Sequence, residues 1–306
     1  MLSVYCVHTY PPFLGTNKGV RSHPKSFWKN EYRPMLKLIH THTHTHIYIY
    51  IYIYIYIYIY IYIYMKRDTR RLHKILTKLG FSVDIRMDID ANEICEAFKA
   101  ESKKTVKDCF VGVISSHGEE GVVFGADGRA VKLAEIYSYF GGPSMADKSK
   151  LFLIQACRGH ELDGGAEVEA DSSFSEEDDG MSELFSIPID TAVMYATSPG
   201  YAAFMHPLGS VLIQTLCDLL EKEGGPELEI TRLLTRLNYQ VAYNFESRGK
   251  VLGGKKQMPC FVTRFTREVF PFMDSQTAAA AEDLSLTFAA TQLIDEPRRS
   301  RKSSIS

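Results

Sequence analysis

The chain has 306 residues, a formal net charge of −2 and six cysteines. Near-neutral charge gives no electrostatic footprint for nucleic acid, and no cysteine pair has the Cys-x-x-Cys spacing of a zinc or redox site. Scattered, unpaired cysteines in a chain this long point to a reducing compartment, the cytosol, and no secretory leader pattern opens the sequence.

Residues 1–40 resemble no folded module. Residues 41–46 then repeat Thr-His, and residues 47–64 repeat Ile-Tyr. These are what AC and AT dinucleotide repeats encode, so 41–64 reads as a translated compound microsatellite within a non-family extension, 1–64, that displaces an upstream coding segment. Three structural readings compete with it. The period-2 alternation matches a strand, one prone to aggregation. The uncharged run reaches the length of a membrane helix, but tyrosine hydroxyls spread through the hydrocarbon depth argue against a span. The histidines offer at most weak metal binding. The expectation is an artefact or a disordered extension.

From residue 65 to 272 the pattern is that of one α/β domain. Arg67–Leu79 has helical period and stops at Gly80. A strand follows over Phe81–Met87, then a helix through Ile94, Phe98 and Val106. Cys109–Ser115 reads as a buried strand leading to Ser116-His117-Gly118. Residues 121–128 form a hairpin with an Asp-Gly turn. A helix over Leu133–Phe140 precedes the run Leu151–Ile154, which leads into Gln155-Ala156-Cys157-Arg158-Gly159. Residues 164–186 turn acidic, serine-rich and glycine-rich, so an exposed, protease-accessible loop is expected. Beyond it, Ala192–Thr197 is a strand, Leu208–Lys222 and Leu228–Phe245 are helices, and Cys260 starts the last strands. Residues 273–306 read as a disordered tail whose Arg298–Lys302 cluster is a solvated face.

Both reactive motifs lie at the C-terminal ends of strand-like runs, where open α/β sheets carry their reactive groups. A cysteine becomes a nucleophile near neutral pH when a base such as histidine takes its proton. Taken singly, a strand cysteine is usually a small core residue and a His-Gly pair a turn. The pentapeptide with a histidine upstream is a nucleophile signature.

Further words fall in order with these two motifs: Glu161-Leu162-Asp163, Ile187-Pro188, Pro199-Gly200-Tyr201, Phe245-Glu246-Ser247 and Lys255-Lys256-Gln257-Met258-Pro259-Cys260. From about Lys66 to Phe272 the chain resembles the caspase family, executioner type. The resemblance implies an α/β fold with a central six-stranded sheet flanked by helices. It implies a cytoplasmic cysteine endopeptidase that cleaves protein substrates after aspartate in apoptosis, without cofactor or metal. It also implies a zymogen cut into a large part (65–171) and a small part (about 172–272), dimeric through the last strand. Cys157 matches the nucleophile and His117 the general base. The N–H groups of Gly118 and Cys157 match the oxyanion hole, and Gln155 matches a wall of the pocket for the P1 aspartate. Tyr201 and Phe204 match the S2 pocket, Phe204 standing where the family has tryptophan. Asp171, ending Val168-Glu169-Ala170-Asp171, matches the intersubunit processing site, cut by an upstream initiator caspase. No nucleic acid or membrane partner is implied.

The pattern breaks at the two arginines that grip the P1 carboxylate in this family. One precedes a Gly-Thr ahead of the first helix, a segment replaced here by the Ile-Tyr repeat, together with an early central strand. The other stands where this chain has Met205, with His206 the nearest alternative cation in sequence. A carboxylate buried without its cation costs several kcal/mol, so strong aspartate selection should be lost. The alternatives are a catalytically impaired regulator that binds other caspases, or a truncated gene product lacking part of the pocket.

Overall fold

A computed structural model describes residues 3–8 by their backbone, and residues 65–165 and 187–273 except 207, 223 and 251. The dinucleotide-encoded repeat, the acidic loop with Asp171, and the tail lie outside the described residues.

Two seven-residue strands with apolar centres build the middle of the sheet. β3 (Cys109–Ser115) and β7 (Ser149–Gln155) are buried along their whole length, as strands of a sheet covered on both faces must be. β3, β7 and β8 (Thr191–Tyr195) run parallel, and β11 (Cys260–Thr263) closes one edge antiparallel to β8. With β1 (Ser3–His8) and β2 (Ser82–Met87), the sheet has six strands in the order β11-β8-β7-β3-β1-β2. Side chains alternate between its faces. Val111, Val113, Leu151 and Leu153 join a core with Leu72, Leu76, Leu216 and Leu233. Phe110, Ile114, Phe152 and Ile154 join a second core with Ile94, Phe98, Ile136 and Phe140.

The first core is covered by the helices α1 (65–78), α4 (Val211–Glu221) and α5 (Ile230–Asn244). The second is covered by α2 (Ala91–Glu101) and the short α3 (Leu133–Ser138). α2 starts at a capping box in which Asp90 accepts the Glu93 N–H at 2.9 Å and Glu93 accepts the Asp90 N–H at 2.8 Å. That arrangement satisfies two donors at the helix start. α2 ends at Glu101, five residues before Val106, because Ser102 takes the capping position. Val106 is nonetheless buried in the second core, in the loop that follows.

One expectation is corrected. Ser3–His8 is a strand, β1, and it occupies the slot between β2 (Ser82–Met87) and β3. It runs antiparallel to both neighbours, pairing Ser3 with Met87 and Ser115, and His8 with Ser82 and Phe110. Two facing strand edges would otherwise carry unpaired backbone groups, which are costly away from water. A short, β-branched and aromatic segment such as Ser-Val-Tyr-Cys-Val-His meets that demand whichever way it runs.

Candidate active site

Register builds the reactive corner. Ser115 of β3 lies opposite Gln155 of β7, and the Ser116 N–H continues the ladder to the Gln155 carbonyl at 3.1 Å. Adjacent strands are about 4.8 Å apart, so the chain segments carrying His117 and Cys157 leave the sheet side by side. Both residues line one cleft of about 140 Å³, with Ser115, Gln155, Met65 and Met205. A larger open depression of about 300 Å³ lies beside Gln214 and Asn244 and has no cysteine in its wall.

The turn after β3 is held by a three-stranded ribbon, β4 (Gly118–Glu119), β5 (Val122–Phe124) and β6 (Ala130–Lys132). The Phe124 N–H donates to the His117 carbonyl at 3.0 Å, and the Ser116 hydroxyl donates to the Phe124 carbonyl at 2.6 Å. Gly118 has no room for a side chain. A Cβ there would lie 2.9 Å from the Ala156 methyl and 3.0 Å from the Cys157 carbonyl oxygen. The two turns therefore touch backbone to backbone.

An ion pair with a buried arginine and a partly open carboxylate fastens the same corner, and no sequence motif points to it. Arg158, only 4 % exposed, clamps the Glu120 carboxylate through Nε at 3.1 Å and Nη2 at 2.6 Å. Its guanidinium lies 4.2 Å from the Tyr195 ring centroid and also donates to the Thr197 carbonyl at 3.3 Å. Planar bidentate pairing and stacking on an aromatic face are what arginine does and lysine does not. The residue after Cys157 is thereby tied to the third residue after His117.

Cys157 is half-buried, and its sulfur accepts the Ala203 N–H at 3.3 Å. The His117 imidazole is open to solvent on one side, while burial against the protein on the other pulls its pKa below the ordinary 6.5. No direct hydrogen bond joins the two side chains among the described residues. Catalytic bonds of this kind often tighten only around substrate.

The opposite wall comes from loop 200–205 and the start of α1. Four backbone bonds clip the loop to the segment after Cys157: Arg158 N–H to Tyr201 O, Gly200 N–H to Arg158 O, Glu161 N–H to Gly200 O, and Ala202 N–H to Glu161 O. Gly159 allows this approach, since its φ is 154° and a Cβ would overlap the Gly200 carbonyl. Gln257 anchors the next residue. Its Oε1 receives the Phe204 N–H and its Nε2 donates to the Ala196 carbonyl, both at 2.7 Å. The Phe204 ring packs 5.4 Å from that of Phe245. Tyr201 is held by its backbone outside the cleft wall, and Met205 of β9 (Met205–His206) stands in the wall.

Met65 lines the same cleft and is 2 % exposed. One turn further along α1, the buried Asp68 carboxylate accepts the Ser210 N–H at 2.9 Å and the Gln214 Nε2 at 2.6 Å. Burial raises the Asp68 pKa, offset by those bonds. Ser210 ends β10 (Gly209–Ser210), the partner of β9, so one carboxylate ties α1 to the Met205 side of the cleft. Among the described residues no arginine or lysine lines the cleft. His206 does not replace them, because it is exposed and faces the larger depression.

A family model described as "Caspase domain" matches residues 63–270. The chain belongs to the caspase family. It is 39 % identical over 211 residues to Caspase-3 of Mesocricetus auratus, covering 66 % of this chain and 74 % of that one. It is 35 % identical over 214 residues to Caspase-7 of Gallus gallus, covering 67 % and 69 %. The crystal structure of Caspase-1 from Spodoptera frugiperda superposes with a TM-score of 0.58 at 29 % identity, over 69 % of this chain and 82 % of that one. By family this is a cysteine endopeptidase. The described residues include no group of His, Cys, Asp and Glu arranged to hold a metal, and no helix long and apolar enough to cross a membrane.

Proposed function

We propose that this caspase-family chain hydrolyses peptide bonds in protein substrates with Cys157 as nucleophile and His117 as proton carrier. His117 takes the thiol proton, and the Cys157 sulfur attacks the P1 carbonyl carbon. The N–H groups of Gly118 and Cys157 receive the developing oxyanion, each such donor being worth about 3 kcal/mol in the transition state. The C–N bond breaks, the leaving amine takes the proton from His117, and an acyl-thioester remains. Water activated by His117 then cleaves the C–S bond, releasing the carboxylic acid and restoring the thiol. The observation that carries this reading is the single cleft shared by His117 and Cys157 at the ends of two register-matched parallel strands.

The family resemblance extends the proposal to apoptosis, to a dimer of large and small parts, and to a cytoplasmic setting. Activation follows cleavage after Asp171 by an upstream initiator caspase. Cleavage after aspartate is the family's specificity, and the thioether wall at Met65 and Met205, with no arginine or lysine among the described lining residues, makes it weaker in this chain. That wall also supports a second reading, a caspase-like regulator that binds other caspases without strong turnover. Cys157→Ala and His117→Ala separate the two. Each should lower hydrolysis of a mixed peptide library by at least about 10³-fold, since the members of such a pair act as a unit. Unchanged hydrolysis by Cys157→Ala would remove Cys157 as the nucleophile, and no hydrolysis by the unsubstituted chain would favour the regulator.

A further inference from the structure

We propose that the cleft beside Cys157 selects a P1 side chain that ends in a neutral amide, asparagine or glutamine, in preference to aspartate. The proposal rests on the endopeptidase reading for its chemistry and on the cleft walls for its specificity. Three observations carry it.

The first is the missing cation. Met65 and Met205 offer thioethers and methylenes, and no arginine or lysine reaches the cleft among the described residues. A carboxylate entering it gives up water beside two thioether side chains, with no arginine or lysine among the described lining residues to pair it, a costly form of burial. A neutral amide loses far less solvation.

The second is a pair of orphaned polar atoms. Gln155 and Ser115 are each 4 % exposed, both line the cleft, and Gln155 Oε1 and Ser115 Oγ have no hydrogen-bond partner. Buried polar atoms are nearly always partnered, so an orphan in a cleft wall marks what a ligand brings. An amide supplies both kinds of partner: its NH₂ donates to Gln155 Oε1 and its C=O accepts from the Ser115 hydroxyl. Rotating the Gln155 amide by half a turn exchanges its donor and acceptor ends. An incoming amide matches either orientation. A carboxylate, an acceptor only, can take the Ser115 proton but leaves Gln155 Oε1 unpaired unless that amide rotates, and leucine or methionine satisfies neither orphan.

The third is size. The cleft holds about 140 Å³, roughly four to five water volumes at ~30 Å³ each. That admits a side chain of four or five heavy atoms, asparagine and glutamine among them, and leaves the choice over aspartate, leucine or methionine to the polar wall.

The test is a set of peptides identical except at P1, carrying Asp, Asn, Gln, Leu or Met, offered to the full chain with kcat/KM read for each. The better of Asn and Gln should exceed Asp by at least about 10-fold and should also exceed Leu and Met, as expected of a site that reads a polar group by hydrogen bonding. In Gln155→Leu the ratio of the amide peptides to the Leu peptide should fall towards one. In Met205→Arg the ratio of Asp to Asn should rise at least 10-fold. The same peptides are also titrated against Cys157→Ala by fluorescence anisotropy, so that recognition is read without turnover. Amide-preferring binding with no hydrolysis by the unsubstituted chain would retain this specificity and overturn the endopeptidase reading. The proposal is overturned if Asp equals or exceeds Asn and Gln in both turnover and binding. It is likewise overturned if Leu or Met does so, or if the amide preference survives Gln155→Leu.

Discussion

The two sides of the cleft are built by different physics. The reactive side stands on a parallel ladder from Cys109–Ser149 to Ser115–Gln155, with Gly118 against Ala156 and Arg158 clamped on Glu120. The selecting side is assembled from a loop, a two-residue strand and the start of a helix, held by Gln257 and Asp68. A sheet ladder fixes its ends through many bonds at once. A loop wall depends on a few side chains, so a single substitution there alters its chemistry while the sheet-borne corner keeps its form. Chemistry and specificity are thus separable in this fold.

Breaking the reactive corner should have the larger effect on stability. Glu120→Ala leaves Arg158 buried without its carboxylate. The partly open edge of Glu120 moderates the cost, so a loss of about 2–4 kcal/mol is expected. Urea unfolding should show an earlier midpoint with an unchanged slope. Glu120→Gln, which keeps an acceptor, should lose less.

Breaking the selecting wall should be milder in stability and more visible in substrate binding. Asp68→Ala orphans the Ser210 N–H and the Gln214 amide, at about 1–3 kcal/mol. Because Asp68 ties α1 to β10, Met65 should move with it. KM should then rise more than kcat falls, and Asp68→Asn should recover most of the loss. Equal losses in kcat and KM for Glu120→Ala and Asp68→Ala would erase the distinction between the two sides.

The smallest effect sharpens the role of the base. His117 has a folded-state pKa below 6.5 because burial disfavours its charged form. The neutral imidazole therefore persists to lower pH, and kcat/KM should rise with pH through a midpoint below 6.5. The stability sign follows from proton binding. Between the folded value and 6.5 the unfolded chain holds more protons at this site, so stability falls as pH drops through that window. His117→Asn should flatten that part of the stability profile.

The reactive side was legible in the sequence because its signals are local and chemical. Unbroken apolar runs gave β3 and β7, and Cys157 and His117 sit just past their ends. The selecting side was legible only as a departure at Met205. Met65 carries no motif, and its place in the wall comes from the Asp68–Ser210 contact, which joins residues far apart in sequence. Gln257 stood within a matching word, but nothing local said that its amide would bridge Phe204 and Ala196. β1 was missed because a six-residue strand has meaning only beside the two edges it fills. The helix expected over 208–222 begins only at Val211, since Gly209 and Ser210 pair with β9 before α4 starts.

The central claim is that Cys157 is the residue that bonds covalently to the substrate carbonyl. A peptide acyloxymethyl ketone with asparagine at P1, incubated with the full chain at pH 7 and followed by peptide mapping, tests it most directly. The account predicts one adduct, on Cys157 and on none of the other five cysteines, forming at least about 10²-fold more slowly in His117→Ala. Adducts spread over several cysteines, or labelling of Cys157 at the same rate without His117, would contradict it.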